Sequence, residues 1–248
     1  MCLITFRWQP NSQTPLILAA NRDEFHARPA AVAQYWLEHP HVLAGKDLSA
    51  GGTWLGVTFD GAFAALTNVR QLPAPYEGQV SRGKLVLDYL AHNQDPQSYL
   101  QKIAQNPTLY DGFNLIVGNR THCWYYSNRS QSAPVSLEPG LYGLSNNILD
   151  TPWPKLERAK NQLSNWMKQP SQPLHTILHE RQTYPEHLQP NTGIGQPWET
   201  MLSAAFITSD EYGTRACTSL QIHHDQIEFT EESYDLQGKA TEKVDFKI

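Results

Sequence analysis

The chain has 248 residues, of which 40% are hydrophobic and 17% are charged, and its formal net charge is −5. This length and apolar fraction predict a sizeable core in a single domain over residues 1–248. The acidic balance offers no basic surface to nucleic acid, and no apolar run reaches the roughly 18 residues that a membrane helix needs. With no signal-peptide pattern, and three widely spaced cysteines that show no metal-binding spacing, we expect a reducing, cytoplasmic protein without a metal site.

The start of the chain predicts a β-hairpin. Cys2 begins an alternating apolar run, residues 9–14 form a turn rich in Pro, Asn and Ser, and a second apolar run ends in Asn21-Arg22-Asp23-Glu24. Antiparallel pairing brings the end of the second strand beside the start of the first. We therefore expect Cys2 to face Asn21 and Asp23, which share one face of a strand.

A cysteine at position 2 has two interpretations. Removal of Met1 would leave an α-amine, with a pKa of about 7.7–8.0, beside a thiol with a pKa of about 8.5, so the amine could serve as the base of a nucleophile. Alternatively, Cys2 is a small apolar residue at the start of a buried strand. The concentration of polar residues in the tetrad favours a functional site, although Arg22 could simply pair with Glu24 on its own face of the strand.

The next elements are predicted in chain order. Residues Phe25 to Ser49 read as a long irregular excursion that lines a pocket and is anchored by Trp36. Asp60-Gly61 predicts a second hairpin, with strands Thr53 to Phe59 and Ala62 to Asn68. This hairpin delivers the amide of Asn68 to a strand end.

The remaining pattern alternates pairs of helices with strands. Helices are predicted over Ser81 to His92, Asp95 to Gln105, Pro154 to Met167 and Leu174 to Arg181. Strands are predicted over Phe113 to Gly118, His122 to Tyr126, Gly140 to Ser145, Ala204 to Thr208, Thr214 to His223 and Gln226 to Glu231, followed by a weakly patterned tail. This order suits an α+β fold with two antiparallel sheets packed face to face and helices outside.

A set of motifs in this chain resembles the NRDE family, which includes the transport and Golgi organisation protein two homologues. The motifs run in the same order from Cys2 to about Thr230. They are Asn21-Arg22-Asp23-Glu24, Arg28-Pro29, Gly51-Gly52-Thr53-Trp54-Leu55-Gly56, Ala65-Leu66-Thr67-Asn68, Ser81-Arg82-Gly83, Gly112-Phe113-Asn114-Leu115, Tyr142-Gly143-Leu144-Ser145-Asn146, Thr151-Pro152-Trp153 and Tyr212-Gly213-Thr214-Arg215.

The resemblance implies a four-layer α/β/β/α sandwich similar to the cysteine N-terminal nucleophile hydrolases. It also implies site residues. The catalytic set carried over is Cys2, Asp23, Asn68, Asn146 and Arg215. The ligand-binding set is Asn21, Arg22, Glu24, Trp36 and Trp54, although Trp54 is equally interpretable as a core residue.

Two functions follow as hypotheses. The first is a carrier with an acylase-like pocket that binds or traffics a hydrophobic anionic ligand, for which the family resemblance points to haem or to acyl-CoA and lipid. The second is an amidase in which Cys2 cleaves a non-peptide C–N bond through a thioester. The acylases carry Arg immediately before the first Asn, whereas Ala20 stands there in this chain. That departure favours the carrier, with a small molecule as partner and haem as a candidate ligand.

Overall fold

The computed structural model describes residues 2–248, so the question of whether Met1 is removed lies outside the described residues. In chain order the strands are β1 (Cys2–Trp8), β2 (Leu16–Phe25), β3 (Ala30–Tyr35), β4 (Val42–Asp47), β5 (Leu55–Thr58), β6 (Phe63–Asn68), β7 (Phe113–Gly118), β8 (Cys123–Ser127), β9 (Val135–Ser136), β10 (Gly140–Leu144), β11 (Tyr212–Ile222), β12 (Ile227–Tyr234) and β13 (Ala240–Lys247). The helices are α1 (Gly83–Ala91), α2 (Pro96–Ala104), α3 (Pro154–Lys168) and α4 (Trp198–Met201).

The strands form two antiparallel sheets that pack face to face. Sheet A has the order β10-β1-β2-β11-β12-β13, and sheet B has the order β3-β4-β5-β6-β7-β8-β9. Fully buried aromatic side chains fill the space between them, and Trp8 of sheet A lies against Phe63 of sheet B with ring centroids 6.3 Å apart. The inner faces therefore make the main core.

Helices cover the outer face of each sheet. Leu85 and Leu90 of α1 are buried with the outward residues of sheet B, and Leu156 and Leu163 of α3 are buried with those of sheet A. The alternation of strand side chains explains why each sheet has two apolar faces. The predicted α+β sandwich of two antiparallel sheets, with helices outside, is confirmed.

The first hairpin forms as predicted, but its register differs from the expectation. The ladder runs from Trp8 opposite Leu16 to Cys2 opposite Arg22. Cross-strand partners share a face, so Cys2 lies on the inner face with Arg22, and Asn21 lies on the outer face. The expected juxtaposition of Cys2 with Asn21 was wrong by one position, which reverses the face of every side chain in the second strand.

Nearly half of the predicted excursion from Phe25 to Ser49 is instead β-structure, because the six-residue strands β3 and β4 lie within it. The tail after Tyr234 also contains a strand, β13. Four strands were not predicted, and three of them, β3, β9 and β13, are sheet edges, whereas β4 lies inside sheet B. Edge strands carry many exposed polar or small residues, so their apolar alternation is weak.

Two other predicted elements are absent from the described chain. Residues 204–208 form no strand; residues 204–207 are buried, and the Ala205 carbonyl accepts a hydrogen bond from the Asn21 side chain (2.9 Å). Residues 174–181 contain a single 3₁₀ turn, Leu174–Thr176, in place of the expected helix. No helix within residues 2–248 has the length and apolar character required to span a bilayer.

Candidate functional site

A polar cavity lies where four element ends meet: the start of β1, the end of β2, the end of β6 and the start of α1. Its volume is about 110 Å³. We call it the Cys2 cavity, and its lining includes Cys2, Arg22, Asp23, Trp54, Asn68 and Arg82. Both sheets and the helical layer of sheet B contribute, so the cavity exists only in the assembled sandwich.

Cys2 and Asp23 are both buried at the sheet A side of the cavity. Burial raises the pKa of the Cys2 thiol and also raises the pKa of the Asp23 carboxyl. Thr214 Oγ1 donates a hydrogen bond to Asp23 Oδ1 at 2.7 Å. A thiol with a raised pKa is protonated at neutral pH, so Cys2 is a neutral group in the resting cavity.

Lys155, in the first turn of α3, lies behind this pair. Its ammonium is buried and donates to the Leu202 carbonyl at 2.7 Å. Burial lowers the pKa of Lys155 to about 8, and the nearby Asp23 carboxylate opposes that effect. A cation therefore lies close to Asp23 on the outer side of sheet A.

Arg22 crosses the space between the sheets. Its guanidinium lies 4.3 Å from the centre of the Trp54 ring and 3.8 Å from Asp47 Oδ2. The alternative that Arg22 pairs with Glu24 was wrong, since Glu24 approaches Arg28 instead, at 3.9 Å. The inner face of sheet A ends in a cation because the register places Arg22, not Asn21, opposite Cys2.

Two more guanidinium groups line the Cys2 cavity. Arg28 Nε donates to Asp47 Oδ2 at 2.7 Å, and Arg82 Nη1 donates to the Gly112 carbonyl at 3.1 Å. The helix predicted to start at Ser81 begins at Gly83 as α1, with no side-chain cap. The positive end of a helix dipole therefore adds to the cationic character of the cavity.

Hydrogen-bond donors also face this region without protein acceptors. The indole N–H of Trp54 is buried and has no acceptor within residues 2–248. The Asn68 backbone carbonyl accepts from the Asn146 side chain at 3.0 Å, and Asn68 lines the cavity. Such donors match a carboxylate or phosphate oxygen, which can only accept.

Four residues assigned to the site from sequence do not line the Cys2 cavity. Asn21 donates to the carbonyls of Leu178 and Ala205 on the outer face of sheet A. Trp36, assigned as a ligand contact, is buried in the core between sheet B and its helices, and its indole donates to Ala44. Asn146 supports the end of β6 through Asn68, and Arg215 donates to the His26 carbonyl at 2.9 Å.

The sequence interpretation missed four charged residues. Arg28 and Arg82 stand in motifs that carried the family resemblance, so a signal for them existed in the sequence. Asp47 and Lys155 had none, because each reaches the site only through the packing of a distant element. Within residues 2–248 no group of three or more His, Cys, Asp or Glu side chains is arranged to hold a metal ion.

Fold and site together define a two-sheet α+β protein with a thiol in a polar cavity that is lined by three arginines and three carboxylates. Residues 1–236 match the sequence model of the family described as "Transport and Golgi organisation 2". The chain is 34% identical over 275 residues to the Transport and Golgi organization protein 2 homolog of Homo sapiens, covering 100% of this chain and 99% of the relative. The chain belongs to the Transport and Golgi organisation 2 family.

Two solved structures are similar in overall chain path. A mutant conjugated bile acid hydrolase from Clostridium perfringens matches with a TM-score of 0.40 at 8% identity, covering 100% of this chain and 97% of that one. The Caenorhabditis elegans orthologue of the N-acylethanolamine-hydrolyzing acid amidase matches with a TM-score of 0.41 at 11% identity, covering 88% of this chain and 92% of that one.

Proposed function

We propose that this protein binds or traffics a hydrophobic anionic ligand and holds the anionic group of that ligand in the Cys2 cavity. The observation that carries the proposal is the convergence of Arg22, Arg28 and Arg82 with the uncapped start of α1 on one small cavity. Asp47 approaches Arg22 and Arg28, whereas Arg82 binds a backbone carbonyl. Helix N-termini and guanidinium groups are the usual protein partners of carboxylates and phosphates.

The size of the cavity limits what can enter it. Pockets that enclose a drug-sized molecule have volumes of about 300–1,000 Å³, whereas the Cys2 cavity has about 110 Å³. A carboxylate or phosphate group fits, but the body of a porphyrin or an acyl-CoA does not. Haem would therefore enter by a propionate, and an acyl-CoA or lipid by one polar end, with the apolar part outside.

A direct test compares ligand binding by wild type and by Arg28→Gln. Haemin, palmitoyl-CoA and palmitate would be titrated into each protein at low and high salt, with Arg158→Gln on α3 as the matched control. Loss of one charge-assisted hydrogen bond is worth about 1.5–3 kcal/mol, so we expect Arg28→Gln to weaken binding about 10- to 100-fold and the control to change nothing. Absence of binding by wild type, or equal binding by Arg28→Gln, would contradict the proposal.

A second candidate is a Cys2-dependent amidase. Of the three cysteines, Cys2 alone lines a cavity described within residues 2–248, while Cys123 and Cys217 are fully buried. In this candidate Cys2 attacks the amide carbonyl, Asp23 orients the amine base and Asn68 donates to the oxyanion. Asn146 and Arg215, assigned to catalysis by resemblance, act only at a distance because neither lines the cavity.

The two candidates respond differently to Cys2→Ser. A carrier retains its ligand affinity, because the cationic groups remain, whereas an amidase loses its turnover, because a hydroxyl is a far weaker nucleophile than a thiolate. A screen with acyl-amide substrates measures turnover. The intact mass of the purified protein shows whether Met1 is present and whether Cys2 carries an adduct. If turnover depends on Cys2 and none of the three ligands binds, the carrier proposal is wrong and the amidase candidate is supported.

A further inference from the structure

A second, larger groove adjoins the Cys2 cavity. It has a volume of about 330 Å³ and shares two lining residues, Asn68 and Arg82, with the smaller cavity. We call it the Arg129 groove, and its other lining includes Leu72, Ile194 and Arg129. Asn68 and Arg82 therefore mark the boundary between the Cys2 cavity and this groove.

The charge in the groove is unbalanced. Within residues 2–248 neither Arg82 nor Arg129 has a carboxylate within the 4.0 Å limit of an ion pair. Arg70 also lines the groove but pairs with Glu199 at 3.1 Å. The carboxylate of the groove, Asp111, uses Oδ1 to accept a hydrogen bond from the Gly78 backbone at 2.8 Å. Neither guanidinium group forms an ion pair, although the Asp111 carboxylate acts on Arg82 at longer range and opposes the lowering of the Arg82 pKa by burial.

Both guanidinium groups are held in place by the protein. Arg129 lies 4.2 Å from the centre of the Tyr76 ring, a cation–π contact that fixes the position of the side chain. A Cβ atom at Gly112 would lie 2.9 Å from Arg129 Nε, so the glycine makes room for this arginine. Arg82 binds the carbonyl of that same Gly112. Both cations are therefore held beside Gly112 by protein contacts alone.

The groove also has an apolar wall. Leu72 is about half exposed, at 47%, and it lines the groove together with Ile194, Val69 and Ala74. An apolar wall beside two arginine side chains suits an amphiphile whose apolar body ends in an anionic group. A simple monocarboxylate offers an anion to the Cys2 cavity but none to Arg129.

We infer that the Arg129 groove is a subsite for a second anionic group, a carboxylate or a phosphate, on the same ligand whose first anionic group occupies the Cys2 cavity. This inference rests on the proposed carrier function and narrows it. The ligand class is an amphiphile with two separated anionic groups. Leu72 and Ile194 contact its apolar body and Arg129 binds its second anion, while Arg82, which lines both spaces, lies between the two anionic groups.

The test uses three ligands and two variants. Haemin carries two carboxylates, palmitoyl-CoA carries phosphates, and palmitate carries one carboxylate. We expect Arg129→Gln to weaken binding of haemin or palmitoyl-CoA about tenfold or more and to leave palmitate within twofold, because only the former ligands reach Arg129. Arg28→Gln should weaken all three. If Arg129→Gln weakens haemin binding, the second anionic group is a carboxylate. If it weakens palmitoyl-CoA binding, the second anionic group is a phosphate.

The outcomes separate the two claims. If wild type binds all three ligands and Arg129→Gln changes none of them, the subsite is refuted while the carrier function stands. If Arg129→Gln weakens palmitate as much as the others, the groove is not a separate subsite. If wild type binds none of the ligands, both claims fail. Arg158→Gln should bind as wild type does, and unfolding midpoints of all variants should show that they are folded.

Discussion

At the scale of single residues, the parity of one strand register decides the chemistry of the site. Cys2 is the cross-strand partner of Arg22, so the cavity contains a guanidinium group beside the thiol. The side chain of Asn21 instead donates hydrogen bonds to two backbone carbonyls of the outer layer. A shift of one residue would have placed an amide beside the thiol instead. Within the tetrad, Arg22 thus lies on the inner face of β2 and Asn21 on its outer face.

The protonation state of Cys2 leads to a prediction about its reactivity. Because burial raises the pKa of this thiol, its thiolate fraction at neutral pH is small, and thiolate is the reactive form. We expect alkylation of Cys2 by iodoacetamide to be slow at pH 7 and to accelerate about tenfold per pH unit up to at least pH 9. Peptide mass mapping measures the rate, Cys2→Ser identifies the adduct, and urea-unfolded protein gives the reference rate. A rate that levels off below pH 8 would show a depressed pKa and contradict this account.

At the scale of elements, Glu231 links the two sheets. It stands on β12 of sheet A, where Thr218 Oγ1 donates to Oε2 at 3.1 Å, and its Oε1 accepts the backbone N–H of Ala33 on β3 of sheet B at 2.8 Å. The side chain is buried, and burial raises the pKa of Glu231 to about 7. The charge of Arg22 lowers the pKa of Glu231, and the charge of Glu242 raises it. A carboxyl between sheets therefore titrates in the neutral range.

This position predicts a pH dependence of stability. The folded state holds the Glu231 proton more tightly than the unfolded chain does, so the stabilisation is fully present below about pH 4.5 and is lost as the pH rises through about 7. Relative to Glu231→Gln, we expect the free energy of unfolding of wild type to fall on the order of 2–3 kcal/mol between pH 4.5 and pH 8. Urea unfolding of both proteins at several pH values provides the measurement. Parallel pH profiles would mean that Glu231 has an ordinary pKa.

At the scale of the whole molecule, the site depends on the packing of two sheets. The Cys2 cavity takes Cys2 and Arg22 from sheet A and Trp54 and Asn68 from sheet B. Between the sheets, large apolar side chains such as Phe229 are completely buried. The main core therefore holds the two halves of the cavity at a fixed separation.

Removing one of these side chains should weaken the entire assembly. Phe229→Ala leaves a cavity between the sheets, and we expect it to lower the free energy of unfolding by about 3–5 kcal/mol. Leu37→Ala is the matched control, because Leu37 is 94% exposed and such a surface change should stay within about 0.5 kcal/mol. Urea unfolding followed by tryptophan fluorescence compares the two variants. Equal losses would mean that the apolar layer between the sheets is not the main source of stability.

Several features of this protein could be predicted from its sequence because local patterns encode them. Alternation of apolar residues predicted the first hairpin, Asp60-Gly61 predicted the turn between β5 and β6, and Pro96 marked the start of α2. The order of strands and helices predicted two antiparallel sheets with helices outside. The tetrad and the strand end at Asn68 marked the region of the cavity, because clusters of polar residues after apolar strands are unusual.

The tertiary structure alone decided which of those polar residues share a cavity. Side-chain parity depends on register, which is set by the packing of whole sheets and not by the composition of one strand, so Asn21 and Arg22 could not be told apart locally. Tertiary packing also places Trp36 in the core between sheet B and its helices. Residues 204–208 form no strand, and the carbonyl of Ala205 accepts a hydrogen bond from the distant side chain of Asn21. Asp47 and Lys155 reach the site across long sequence separations, and only the folded chain brings their charges to Arg28 and Asp23.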